Sequence, residues 1–402
     1  MTTSRKYIIK KTIQSVDNIR PYTPLKFVYL IIAVVVVSCI LFFLADRSNS
    51  VAAAETASES VVKTPYALYK LVKSDNYLNI GVQPLYLPAG LITSVMSRDM
   101  ILHHRLEELG IKIVFYQFLK GSDVNSFLKN DSLQAGVAGD MPTISAAALK
   151  DIFIPALIQH GFTSVVSRRY LFIKELRGRR IGYAPGSNAH YALLKTLSNE
   201  GLTEKDVTLI PMDVTDMPKA LLSKKIFAFS AWEPTVGLTE KNYPDTVVIH
   251  RFMSYGYIYF LKEFYQKHPE AVKHVLAAEI RAIRWLKKSS QNLLQASTWT
   301  FQASQQLSNN KLTITADQIA DIAMGDMIWQ NELPVIPKNS LKSNGPLYDE
   351  FNFLVKYSNI QSNVKWEKIQ GSFDTKLLYE LLEMRNYYEL DEFDYDLTRN
   401  HQ

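Results

Sequence analysis

Hydrophobic and polar positions divide the chain into three stretches. The first holds one long apolar run, Phe27 to Ala45 (FVYLIIAVVVVSCILFFLA), with no charged residue in 19 positions. As a helix rising 1.5 Å per residue it is about 28 Å long, close to a hydrocarbon core of ~30 Å. Its valines disfavour helix in water, but in lipid the backbone must satisfy its own hydrogen bonds, and helix wins. In the second stretch, from about Asn76, short β-branched and aromatic runs alternate with helical patterns. The pattern predicts strands at Tyr77–Val82, Lys112–Phe118, Gln134–Ala138, Ser164–Ile173, Arg179–Tyr183, Val207–Pro211, Ile226–Phe229 and Thr246–His250. It predicts helices at Gly90–Leu109, Met141–Ala148, Ala189–Glu200 and Met217–Ser223. This rhythm indicates an α/β fold with largely parallel sheets. After His250 the pattern turns helical: His268–Lys287 sets Val272, Val275, Leu276, Ile280, Ile283 and Leu286 on one side, and 315–331 and 375–390 read similarly.

Charge gives the first stretch an orientation. Arg5, Lys6, Lys10, Lys11, Arg20 and Lys26 precede the apolar run against Asp17 alone, so the basic arm 1–26 stays in the cytoplasm and the rest is exported. Three fates of the run 27–45 are compatible with export: a retained single-pass anchor, a signal cleaved near SVAAAE at 51–56, or a lipid anchor at Cys39. The last fits poorly with the apolar ILFFL that follows. Residues 46–76 begin as a small, polar stretch and read as a linker.

At 402 residues, 47% hydrophobic and 21% charged, the composition is that of a globular protein of about two domains. A net charge of +6, much of it in the arm, is too small to indicate nucleic acid. One cysteine excludes an internal disulfide and any cysteine-rich metal site. His103 and His104 are neighbours on a helix and point about 100° apart, so they do not face one ion. The sequence points to no metal, no cofactor and no hydrolase nucleophile.

Two strand-to-helix turns stand out. In Gly136-Val137-Ala138-Gly139-Asp140-Met141-Pro142, Asp140 can cap a helix and Pro142 fits its first turn. In Tyr183-Ala184-Pro185-Gly186-Ser187-Asn188-Ala189-His190-Tyr191, Ser187 or Asn188 can cap. Helix starts leave unpaired N–H groups that suit an anion, although ordinary capping accounts for either turn as well. Tyr86, Tyr183, Tyr191 and Trp232 could wall a ligand cleft or pack a core. Pro234 keeps Glu233 out of helix, which puts Trp232-Glu233 at a strand end.

The ordered series Leu176-Arg177-Gly178-Arg179-Arg180-Ile181-Gly182, Gly186-Ser187-Asn188-Ala189-His190-Tyr191, Gly201-Leu202, Asp206-Val207 and Trp232-Glu233-Pro234 resembles the nitrate/sulfonate/taurine family of ABC-transporter substrate-binding proteins. Asn79-Ile80-Gly81-Val82-Gln83, Gly139-Asp140-Met141-Pro142 and His268-Pro269-Glu270 fit the same family. The resemblance covers roughly 77–290. It implies a two-lobed type II periplasmic binding fold, with crossovers near 172–178 and 250–258. Lobe one would be 77–172 plus 256–402, and lobe two 173–255. It further implies a non-enzymatic protein that holds a small organic or oxyanionic ligand and passes it to an ABC permease and its ATPase. Gln83, Tyr86, Gly139, Asp140, Met141, Gly186, Ser187, Asn188, His190, Trp232 and Glu233 are the ligand-binding positions that the resemblance carries over. Asp140 puts a negative charge at an anion site, so it either serves in capping or faces an amine or aromatic nitrogen of the ligand. A membrane-anchored sensor, or an enzyme using His190 or Glu233 as acid–base group, are the alternative readings of the same cleft.

Overall fold

The computed structural model describes residues 66–307, 314–327, 330–357 and 359–398. The arm, the run Phe27–Ala45 and most of the linker lie outside the described residues. The chain divides into two units, Met1–Ala67 and Leu68–Gln402. Only the last two residues of the first are described. Among the described residues no helix is long and apolar enough to cross a membrane.

Within Leu68–Gln402 the strands are β1 (Tyr77–Val82), β2 (Lys112–Gln117), β3 (Ala135–Gly139), β4 (Ile152–Ser167), β5 (Arg180–Tyr183), β6 (Thr208–Pro211), β7 (Ala228–Trp232) and β8 (Val247–Leu261). They form one sheet in the order β2-β1-β3-β8-β4-β7-β5-β6. Helices α1 (Ala89–Met96), α2 (Met100–Glu108), α3 (Gly121–Lys129) and α4 (Asp140–Leu149) alternate with the first strands. Helices α5 (Asn188–Asn199), α6 (Met217–Leu222) and α7 (Thr235–Asn242) alternate with the later ones. After β8 come α8 (Lys262–Lys267), α9 (Pro269–Lys288), α10 (Ser290–Leu307), α11 (Ala316–Met327), α12 (Pro346–Lys356), α13 (Trp366–Gln370) and α14 (Leu377–Glu383).

The outer strands pair in parallel, β1 with β2 and β3 on one side, β5 with β6 and β7 on the other. The middle is antiparallel. β4 and β8 pair from Ile152↔Leu261 to Ser167↔Val247, while β3 adds to 256–260 of β8 and β7 to 163–167 of β4. The architecture is therefore two α/β lobes threaded by two long shared strands. The expectation of largely parallel sheets holds for the outer trios and fails for this central pair. Alternation works as the pleat requires. Val165 faces a core with Ile181, Leu193 and Leu197, and Val166 faces a second core with Met217, Leu221 and Phe229 on the opposite side.

Four predicted elements need correction. Strand β4 begins at Ile152 and ends at Ser167, not Ser164–Ile173. Pro155 obscured it; the proline sits where the register shifts between Phe153 and Ala156, a break in pairing that tolerates a missing donor. Strand β8 runs on to Leu261 through Tyr255, Tyr257 and Tyr259, so the chain does not turn helical after His250. The single helix Gly90–Leu109 is two, because Asp99 adopts extended backbone and accepts a hydrogen bond from Leu102 N–H (2.9 Å) as the cap of α2. The pattern at 375–390 gives only the short α14, followed by turns in which Glu389 has φ +52°. Helix α9, expected to be amphipathic, is buried on most sides between α1, α2, α10 and α14.

Candidate functional site

Where β3 ends, every residue from Ala135 to Gly139 is buried, and the chain turns straight into α4. The cap residue of α4 is Gly139 rather than Asp140, and it has no side chain to offer. Asp140 instead turns its buried carboxylate to the strand β8. Its Oδ2 accepts from Tyr255 N–H (3.0 Å) and its Oδ1 from Met141 N–H (3.3 Å). On the other side, Gly186 takes the left-handed φ of +69° that frees the chain to enter α5. Of the two caps the sequence allowed, Ser187 and Asn188, the α5 cap is Ser187; its Oγ accepts from His190 N–H at 3.3 Å.

The two turns meet. Asn188 Oδ1 accepts a second hydrogen bond from Met141 N–H (3.2 Å), and its amide lies so close to Gly139 that a Cβ there would stand 2.5 Å from Nδ2. Glycine is required at 139 for this approach rather than for backbone freedom, since its φ is −66°. Tyr86 reaches the same place and donates from its buried hydroxyl to Tyr255 O (3.2 Å). Gln83, buried at the end of β1, donates to Val137 O (2.8 Å). Gly139, Asp140, Met141, Asn188 and Tyr86 are thus brought together around the middle of β8.

The remaining predicted residues stand apart. His190 packs its ring against Tyr183, Phe353 and Tyr357, at centroid distances of 4.6, 5.2 and 5.5 Å. Burial there pulls its pKa down to about 4, so it is neutral at pH 7. Trp232 closes β7 opposite Thr163 of β4 and is half-buried. Glu233 O accepts from Leu87 N–H (3.4 Å) beside Tyr86, while its Oε2 accepts from Gly237 N–H (2.7 Å) in the first turn of α7. Burial, with Asp326 and Glu240 nearby, pushes the Glu233 carboxyl up to about 7.

Sequence reasoning missed the residues that come from afar. Glu350 on α12 is buried where that helix packs on α4, near enough to Asp140 for each carboxyl to affect the other's ionisation. Burial raises the pKa of both carboxyls, and the Asp140 charge raises Glu350 further. Helix α12 packs on α4, and Phe353 from its next turn meets Tyr191 and His190 of α5. Gln159 of β4 accepts from Ala89 N–H (2.9 Å). Only the tyrosine alternation in Tyr255-Gly256-Tyr257 could have marked this strand; nothing near Glu350 in sequence marks its partner.

The geometry defines a class: two α/β lobes on shared strands, with a helix start from each facing the other. Comparison with known proteins places the chain in the same class. Residues 106–292 match the family model described as NMT1/THI5 like. A Bacillus subtilis protein, named as a candidate aliphatic sulfonates-binding protein, is 26% identical over 192 residues, 45% of this chain and 58% of that relative. This chain thus spans a little over half of that relative's length. The periplasmic aliphatic sulphonate binding protein SsuA from Escherichia coli superposes with a TM-score of 0.56 at 18% identity, over 73% of this chain and 92% of that one. The fold is shared by an enzyme as well: the desulfurization enzyme DSZB gives a TM-score of 0.52 at 15% identity, over 77% of this chain and 99% of its own. The chain resembles the ABC-transporter substrate-binding proteins of the nitrate/sulfonate family, and its fold is theirs.

Proposed function

We propose that this chain is the extracytoplasmic solute-binding component of an ABC importer, holding a small organic or oxyanionic ligand of sulfonate, nitrate or taurine type between its lobes. The observation that carries the reading is the meeting of the α4 and α5 starts at Asn188 and Met141 across β4 and β8. A ligand that touches both lobes favours their closed arrangement by its differential affinity for it, and no covalent chemistry is needed. Gly186, Ser187, Trp232 and Glu233 line the lobe-two side in this reading, and His190 supports the turn from behind. We place the passages between lobes in the middle of β4, near 160, and of β8, near 254. The first is earlier in the chain than the 172–178 read from sequence.

The permease and ATPase are the partners this role requires. We take Phe27–Ala45 as a single-pass anchor that leaves the basic arm in the cytoplasm and tethers the lobes outside. The same anchor and arm favour a second reading, a membrane-tethered ligand sensor, which co-purification with a signalling protein instead of a permease would support. The primary test is a thermal-shift screen of the full chain against alkanesulfonates, taurine, nitrate and pyrimidines. A ligand at a hundred times its Kd adds about 2.7 kcal/mol and raises Tm by a few degrees. No shift with any of them removes the solute-binding reading. Turnover of a sulfinate or sulfonate, lost in His190→Ala or Glu233→Gln, would replace it with an enzyme.

A further inference from the structure

The meeting place of the α4 and α5 starts is acidic where an anion-binding site would need donors. Both oxygens of Asp140 are engaged by Tyr255 N–H and Met141 N–H, and Met141 N–H also serves Asn188. At the α4 start the Met141 amide is therefore already taken. Glu350 brings a second carboxyl to the first, and the groups acting on Glu350 are Asp140 and Asp349, both acidic. Three polar atoms around this pair are buried without a partner: Glu350 Oε2, the Tyr257 hydroxyl and Asn188 Nδ2. Tyr257 is fully buried and Asn188 is 8% exposed. The Tyr257 phenol is pushed up by burial and by the nearby Asp140 and Glu350 carboxyls, which sets it beside the pair. Buried polar atoms that lack partners carry a desolvation cost that a bound group can relieve.

We propose that Asp140 and Glu350, with Tyr257, form a subsite for a cationic organic nitrogen, the ammonium or amidinium group of a small ligand. This rests on the solute-binding reading and narrows its ligand class. The N–H groups of such a nitrogen supply the donors that Glu350 Oε2 and Tyr257 lack, and its single positive charge takes the place of the proton the pair shares. Tyr86 and Tyr255 give the cation aromatic neighbours. A metal ion is a poorer occupant, since among the described residues no group of three or more acidic, histidine or cysteine side chains converges here or elsewhere. In the free protein the pair keeps a proton, because burial holds both carboxyls above their ordinary range and the Asp140 charge raises Glu350 further. When the cation binds, that carboxyl O–H bond breaks and the proton passes to the buffer. The other titratable groups facing the pair are Tyr86, Tyr255, Tyr257 and Tyr191, all held neutral by burial, and Asp349, whose charge adds to that of the pair.

The test is titration calorimetry on the full chain near pH 6 with two matched pairs of probes, taurine against ethanesulfonate and benzylammonium against benzenesulfonate. The nitrogen-bearing member of each pair is expected to bind about tenfold tighter or better. Its heat should vary with the ionisation enthalpy of the buffer, as release of about one proton demands. Glu350→Gln keeps the side-chain shape and should narrow that preference and remove the proton release; Asp140→Asn is the second variant if the first fails to fold. Should the nitrogen-free sulfonates bind as tightly as their partners, or the preference survive intact in a folded Glu350→Gln protein, the subsite is wrong while solute binding stands. If none of the four binds, the subsite is wrong, and the solute-binding reading is decided by the wider thermal-shift screen.

Discussion

Asp99 shows how one side chain can decide several outcomes. It caps α2 and holds Arg281 of α9 in a buried pair, Arg281 Nε to Asp99 Oδ2 at 2.8 Å. Removing one partner leaves the other charge buried, so Arg281→Met should cost about 3–5 kcal/mol in urea unfolding. Glu233 gives a pH signature. Its folded pKa of about 7 lies above its ordinary 4.5, so its contribution is full below the ordinary value and is lost as pH rises through 7. The melting temperature of Glu233→Gln should fall less between pH 5 and 8 than that of the parent. At this scale the sequence was legible where chemistry is local. Ser187 announced itself as a cap because hydroxyl and amide are three positions apart. Asp140 looked like a cap for the same reason, yet its carboxylate serves Tyr255, a partner that chain order does not disclose.

Among the elements, six of the strands lay close to where alternation put them, since short apolar runs between turn residues leave little choice. The two long ones did not, because Pro155 and the break at Ser254 and Gly256 disguise a strand that changes neighbours partway along. Helix α12 is the element that pattern reading could not assign a task. Gly345 and Pro346 start it in ordinary fashion, and Leu347, Glu350, Phe351 and Leu354 face inward at steps of three and four. That face rests on α4, and Phe353 with Tyr357 touches α5, so this one helix contacts both sides of the cleft. Leu354 is fully buried, and Leu354→Ala should cost about 2–5 kcal/mol. If α12 ties the two sides together, hydrogen exchange in that variant will quicken in the first turns of both α4 and α5. Exchange confined to α12 itself would mean it merely sits on the surface.

For the whole molecule, the lobes meet at a contact with almost no slack. Alanine at Gly139 is compatible with the local backbone, but its Cβ would collide with the Asn188 amide at 2.5 Å. Gly139→Ala should therefore hold α4 and α5 apart and raise the radius of gyration in small-angle scattering. Pairing it with Asn188→Ala should restore the compact value, because the obstacle is gone. The two-lobed plan was implied by the family resemblance that the ordered turns carry, each of them local. How the lobes are joined was not, since pairing between β4 and β8 leaves no trace in either strand alone.

The shared strands also set a timetable for synthesis. Ala135 of β3 has Phe260 as its partner, and Thr163 of β4 has Trp232. A nascent chain emerging from the ribosome cannot complete its first lobe until almost the entire second lobe has followed. Contacts so distant along the chain are slow to form, and β3 must wait with one edge bare. The α/β halves are thus obliged to mature as one late, cooperative event, and a chaperone that shields nascent β3 would find its client here.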